Sequence, residues 1–228
     1  MALLGQLTFQ NRGRGRAQLE DLYGLPVLRA RTDPEGWLGE GRLKRAGQTL
    51  ERGGVLRTLV PAGFGRWDLL RPFGLIPVEA EGFLKAQSSF LALGALERQG
   101  LAPDRATVAL RGMRVDRDMA RAAVRLCPQV RHLVISAPRG GRELALWLRR
   151  EFGIPILPEE KETQLALHFH PESGAVEGAA LKLWGPEPDL GGMCLTAPAL
   201  AQEDRRDLSL LAALWEGGKL MEKDLKIT

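Results

Sequence analysis

A chain of 228 residues with 44% hydrophobic and 26% charged side chains is long enough to bury a sizeable core and has the balance of an ordinary globular protein. Its 32 basic and 28 acidic residues leave a formal net charge of +4, which governs solubility and nonspecific attraction and does not define a partner. No run approaches the ~18 consecutive apolar residues of a membrane span, and "MALLGQLTFQ" lacks the basic segment and long apolar run of a secretion signal. The expected compartment is therefore the cytoplasm, with no membrane partner. Cys127 and Cys194 lie far apart without a CxxC spacing, the pattern of reduced thiols inside a cell. Cys127 is expected as a small buried residue at a helix end.

In chain order, the first distinctive stretch is "NRGRGR", with Arg12, Arg14 and Arg16 set among glycines. Such a run can follow a phosphate backbone, but no aromatic is interleaved to stack a base. It reads as a solvated loop, and nucleic acid is not an expected partner. Three joints then recur: "YGLPVL" at 23–28, "FGLIPVE" at 73–79 and "FGIPIL" at 152–157. Each glycine is expected as the left-handed cap of a preceding helix, with the apolar run behind it as the next strand.

Leu43, Ala46 and Leu50 predict a helix over 39–54, followed by a strand over 55–61. "PAGFGRWD", 61–68, is expected as a strand-to-helix turn with Trp67 in the core; a ligand loop using Arg66 and Trp67 is the alternative. Phe83, Leu84, Phe90, Leu91, Leu93 and Leu96 give 80–100 the broad apolar side of a helix. "LAPD" at 101–104 reads as a connector, dividing an N-terminal α/β lobe, 1–101, from a C-terminal lobe, 102–228.

From residue 105 strands and helices alternate. "ATVALRG" leads to the helix "DRDMARAAVRLC", then come the strand "VRHLVISA", the helix "RELALWLRREF" and the strands "IPILP" and "QLALHFH". Asp116 is placed to cap the first of these helices, and Gly153 to end the second. Short apolar strands joined by helices of this length predict an α/β fold with a mostly parallel sheet and helices on both faces. Beyond 171, "AALKLWG" and "GGMCLTAP" are predicted strands, and Leu208, Leu211, Leu214 and Trp215 mark a terminal helix packed on the sheet.

Residues 105–170 resemble, in the order and length of their elements, the first part of a Rossmann-like dinucleotide-binding domain. In that class the first strand-to-helix turn carries G-x-G-x-x-G and faces the pyrophosphate. Here the turn is Arg111-Gly112-Met113-Arg114-Val115-Asp116, with one glycine. The acidic residue that would hold the ribose of NAD after the second strand is also missing, since "VRHLVISAPRGG" offers Ser136, Ala137 and Pro138 there. Arg139 is compatible with a 2′-phosphate, but the first turn is wrong for a pyrophosphate. The resemblance implies a degenerate nucleotide-binding scaffold and assigns no cofactor.

The sharper candidate site is "SAPRGGRE", 136–143. Gly140 and Gly141 allow backbone N–H groups to face an anion at a helix start, and Arg139 and Arg142 can clamp it; a flexible turn with surface arginines is the plainer reading. His168 and His170 share a face if their strand continues through both. H-x-H is half a metal site at most, because zinc needs three or four ligands, so no metal is expected and the pair reads as polar residues at an exposed strand end. If the three strands run parallel, Arg111, Arg114, Arg139, Arg142, His168 and His170 converge on one cationic rim, where open α/β sheets bind ligands. No nucleophile elbow, P-loop or H-E-x-x-H accompanies the rim. The expectation is a ligand-binding or protein-interaction module whose basic rim suits an anionic small molecule. The alternative is a divergent NAD(P)-dependent oxidoreductase or a transferase using a nucleotide-like cofactor.

Overall fold

In Leu4–Phe9 (β1) Gly5 and Leu7 are buried between half-exposed neighbours, the period of two that seats a strand in a sheet. Gln18–Leu22 (β2) and Leu25–Thr32 (β3) follow as an antiparallel hairpin. The computed structural model describes residues 3–10, 17–153, 156–157, 163–171 and 179–228; the arginines of "NRGRGR" and Glu172 lie outside them. The joint at "YGLPVL" differs from expectation, because a strand and not a helix precedes it. Leu19 and Leu22 have helical spacing, but Tyr23 and Gly24 both take positive φ, 52° and 84°, as a two-residue hairpin turn requires. Asp21 Oδ1 accepts the Gly24 N–H at 2.8 Å and holds the turn.

Gly39–Arg52 (α1) buries Leu43, Ala46 and Leu50 as predicted and leads to Arg57–Leu59 (β4). Two short 3-10 turns, Trp67–Leu69 and Arg71–Phe73, end at Gly74, whose φ of 70° supplies the left-handed exit into Ile76–Pro77 (β5). These strands make one sheet in the order β2-β3-β1-β4-β5, parallel except for the β2 edge. Leu7, Ala30, Leu43, Leu50, Val55 and Leu70 pack as its core, with Trp67 against them.

The stretch 80–100 forms two helices, Glu81–Ala86 (α2) and Ser88–Arg98 (α3), broken at Gln87. Thr107–Arg111 (β6), Arg117–Leu126 (α4), His132–Ser136 (β7), Gly141–Phe152 (α5), Ile156–Leu157 (β8) and Leu165–His168 (β9) then alternate as predicted. Asp116 caps α4, accepting the Met119 N–H at 2.8 Å, and Gly153 ends α5 with a φ of 66°. Cys127 is buried at the end of α4. Ala180–Lys182 (β10) adds to β9 in parallel. The second sheet has the order β10-β9-β6-β7-β8 and is parallel throughout. Leu195–Thr196 (β11) stands outside it.

Leu208–Glu216 (α6) is capped by Asp207, whose carboxylate accepts the N–H groups of Ser209 and Leu210. A Cβ on Gly217, just past this helix, would lie 2.4 Å from Leu25 Cδ2, so α6 closes tightly on the start of β3. Lys226–Ile227 (β12) pairs antiparallel with β11. The chain thus packs as two units, Met1–Glu79 with Ala197–Asp224 and Ala80–Thr196 with Leu225–Thr228. This division departs from a single boundary at 101/102 because α2 packs on α4, α3 packs on α4 and β9, and α6 returns to the first sheet. Among the described residues no helix is long and apolar enough to cross a membrane.

Candidate functional site

Because β6, β7 and β9 are parallel neighbours, the turns after them reach one edge of the second sheet. The parallel pairing that the predicted rim requires is therefore present. Gly112 donates its N–H to Ser136 O at 3.0 Å, and Val115 donates to Arg139 O at 2.8 Å. The turn after β6 and the turn after β7 are tied to each other through the main chain, so Arg114 and Arg139 pair across a bridge. Arg114, Arg139 and Arg142 are exposed, and Arg111 is half-buried. Among the described residues none of the four is in an ion pair. Gly140 takes a left-handed φ of 83° immediately before α5, and no side chain caps that helix.

The histidines do not extend this cationic edge. The strand ends at His168, which is buried, as is Phe169, while His170 is mostly covered, with 16% of its side chain exposed. They are not polar residues at an exposed strand end. Burial lowers the pKa of His168, with the charge of Arg111 adding to it; burial lowers that of His170, and Lys85 outweighs the opposing pull of Asp116. Both rings are thus uncharged at neutral pH. A histidine whose folded-state pKa is depressed stabilises the fold above the unfolded value of ~6.5, and that contribution is lost as pH falls. We expect the melting temperature to drop between pH 7.5 and 5.5, and His170→Gln to flatten part of the drop; a flat wild-type profile would exclude this linkage.

His170 joins a cluster that sequence spacing does not announce. Its Nε2 lies 3.2 Å from Asp116 Oδ2, so the neutral ring is assigned as donor there. The second unit also buries Lys85, only 7% exposed, with its Nζ 2.8 Å from Glu81 Oε1 and 3.8 Å from Asp116 Oδ2. Glu81 Oε2 accepts the Gly185 N–H at 3.1 Å. Burial pushes the Glu81 pKa up, but Lys85 and this N–H outweigh it, leaving the pKa below its ordinary value. Glu81 and Lys85 stand four apart on a helix, a favourable ion-pair spacing and the one local clue to the cluster.

Two members of the cluster, His170 and Asp116, stand at the turn after β6, the place that matters for a nucleotide. Counted along the second unit, the order β10-β9-β6-β7-β8 is 5-4-1-2-3, the doubly wound order whose switch point lies between the first and fourth strands. Here those strands are β6 and β9. A Cβ on Gly112 would lie 2.6 Å from His170 Nδ1 and 2.9 Å from Met119 Cε. The one glycine of the turn therefore makes room for an imidazole, where the dinucleotide class brings a pyrophosphate to the backbone. Asp116 also sets a carboxylate on the α4 N-terminus that a phosphate would need.

In the first unit, Arg66 pairs with Glu40 at 2.5 Å, and Trp67 packs edge-on to Phe64 with ring centroids 5.5 Å apart. "PAGFGRWD" is thus a turn whose Trp67 packs on the core. Among the described residues no group of three or more His, Cys, Asp or Glu side chains is placed to hold a metal ion.

No family model matches the chain, and no curated protein does. Among solved structures it is similar to L-tryptophan dehydrogenase from Nostoc punctiforme, at 16% identity over 73% of this chain and 56% of that one, with a TM-score of 0.33. It is also similar to the catalytic subunit of aspartate transcarbamoylase from M. jannaschii (13%, 73% and 60%, TM-score 0.30). A third is quinate dehydrogenase from Corynebacterium glutamicum (13%, 73% and 70%, TM-score 0.27). The chain spans less than two thirds of the length of the first two. It is the chain's own parallel strand order that makes the second unit a Rossmann-like α/β domain.

Proposed function

We propose that this protein is a ligand-binding or interaction module whose second unit takes a small anion on the edge formed by Arg114, Arg139 and Arg142, with Arg111 and the backbone of Gly140 and Gly141 behind them. The observation that supports a non-nucleotide reading is the imidazole of His170 against Gly112 at the switch point. What supports an anion is the main-chain tie that sets Arg114 beside Arg139, next to an α5 N-terminus with no side-chain cap. His168 and His170 act in this reading as uncharged packing groups. Two free cysteines support a reducing compartment, and the cytoplasm is the location this reading proposes.

Titration with inorganic phosphate and with citrate tests the assignment. Arg139→Ala combined with Arg142→Ala should abolish binding while leaving the melting temperature nearly unchanged, since exposed substitutions are worth within about 0.5 kcal/mol. Unaltered affinity would remove both arginines from the site. The strand order favours one second reading, a divergent NAD(P)-dependent enzyme. That reading requires His170 to leave the crevice, and saturable stabilisation by NADPH would support it. A ligand at 100 times its dissociation constant raises stability by about 2.7 kcal/mol, well within reach of a thermal melt.

A further inference from the structure

The first unit has a switch point of its own. β1 lies between β3 and β4; the chain leaves β1 toward β2 and β3, and leaves β4 toward β5, so the departing segments diverge. A crevice opens outside the carboxyl ends of two such strands. A cleft of about 420 Å³ is found there, a size ordinary for a small-molecule site. Leu7, Leu59, Val60 and Leu210 give it apolar walls, and its polar groups are Gln6, Thr8, Glu203, Asp204, Arg206 and Asp207.

The charge around the cleft is one-sided, three carboxylates against one guanidinium. None of the three is in an ion pair among the described residues. Asp207 Oδ1 caps α6 at 2.9 and 3.1 Å from the Ser209 and Leu210 nitrogens, offsetting the helix end that would otherwise attract an anion. Asp204 Oδ2 accepts the Tyr23 hydroxyl at 2.6 Å, and the Tyr23 oxygen accepts the Ala201 N–H at 3.2 Å, so this carboxylate is held before any ligand arrives. Burial raises the Asp207 pKa, and the nearby charge of Asp204 adds to it although two N–H bonds oppose. A cation seated between them would relieve that repulsion.

We infer that this cleft binds a small organic cation, an ammonium group facing Glu203, Asp204 and Asp207 with a compact carbon body against the leucine walls. The apolar walls and the volume favour an organic ion over a bare metal ion, whose ligands would be oxygen atoms alone.

Putrescine, agmatine and tyramine are suitable probes, with 3-(4-hydroxyphenyl)propanoate as the anion on the same body as tyramine. Titrated into ¹⁵N-labelled protein, at least one amine should bind with a Kd of about 1 mM or tighter. It should shift the amides of Gln6–Thr8, Leu59–Val60 and Glu203–Leu210, while the propanoate shifts none of them. Glu203→Gln with Asp204→Asn should weaken amine binding at least about tenfold. Asp207→Asn gives a second test, because asparagine caps a helix as well as aspartate does and the change removes only charge. Equal binding of the propanoate, preference for Mg²⁺ or Ca²⁺, undiminished affinity in Asp207→Asn, or no amine binding at 10 mM would each overturn the assignment.

Discussion

Gly112→Ala should destabilise the protein by about 1–3 kcal/mol, the usual cost of forcing extra volume into a packed site. The new methyl would stand 2.6 Å from His170 Nδ1. Met119 Cε, at 2.9 Å, is the free end of a flexible side chain and can give way. The imidazole has less freedom, because its other nitrogen faces Asp116 at 3.2 Å and Asp116 is itself fixed as the α4 cap. At this chain length each kcal/mol corresponds to roughly 2–4 °C of melting temperature. His170→Ala should restore most of the loss in the Gly112→Ala background, a coupling that a double-mutant cycle measures. If Gly112→Ala melts like the wild type, the ring does not occupy the crevice and the case against a pyrophosphate there loses its support.

Lys85→Met should cost about 2 kcal/mol at neutral pH. Methionine replaces the buried stem well, so the loss falls on the carboxylates of Glu81 and Asp116, left without their cation. Breaking a fully buried pair typically costs ~3–5 kcal/mol. The figure is reduced here because Glu81 keeps 38% and Asp116 23% of the side-chain surface in contact with solvent. The pH dependence identifies the cause. Without Lys85 the Glu81 carboxyl loses the main partner that holds its pKa below the ordinary value, so Glu81 keeps its proton to a higher pH in the fold than in the wild type. The difference between variant and wild type should therefore be largest near pH 7.5 and shrink toward pH 4, as urea melts at the two values would show. A difference independent of pH would make Lys85 a packing residue only.

Both effects turn on Asp116, which shows how function-bearing geometry is divided between local and distant causes. Its capping role follows from its place directly before an apolar helical period. Its contacts with Lys85 and His170 follow from nothing nearby, since α2, the turn after β6 and the end of β9 meet only when the sheet has formed. The same separation explains the histidines. Alternation along "QLALHFH" predicts a shared face for His168 and His170, but the strand ends at His168 and the chain turns His170 onto Gly112. A residue expected to add positive charge to a rim becomes an uncharged plug.

By itself the sequence determined the elements whose causes are local. The apolar runs and helical periods from 105 to 157, the Asp116 cap, the left-handed exits at Gly74 and Gly153 and the absence of a glycine-rich phosphate loop were all legible. Each depends on residues within a few positions of one another. Only the tertiary structure decided that Gln18–Leu22 is an edge strand despite its helical spacing, and that Lys85 is buried against two carboxylates. It also returned α6 to the first sheet, with Asp204 and Asp207 beside the ends of β1 and β4. The physical reason is common to these cases: strand pairing and side-chain burial are settled by partners far away along the chain, and local spacing carries no record of which partners those will be.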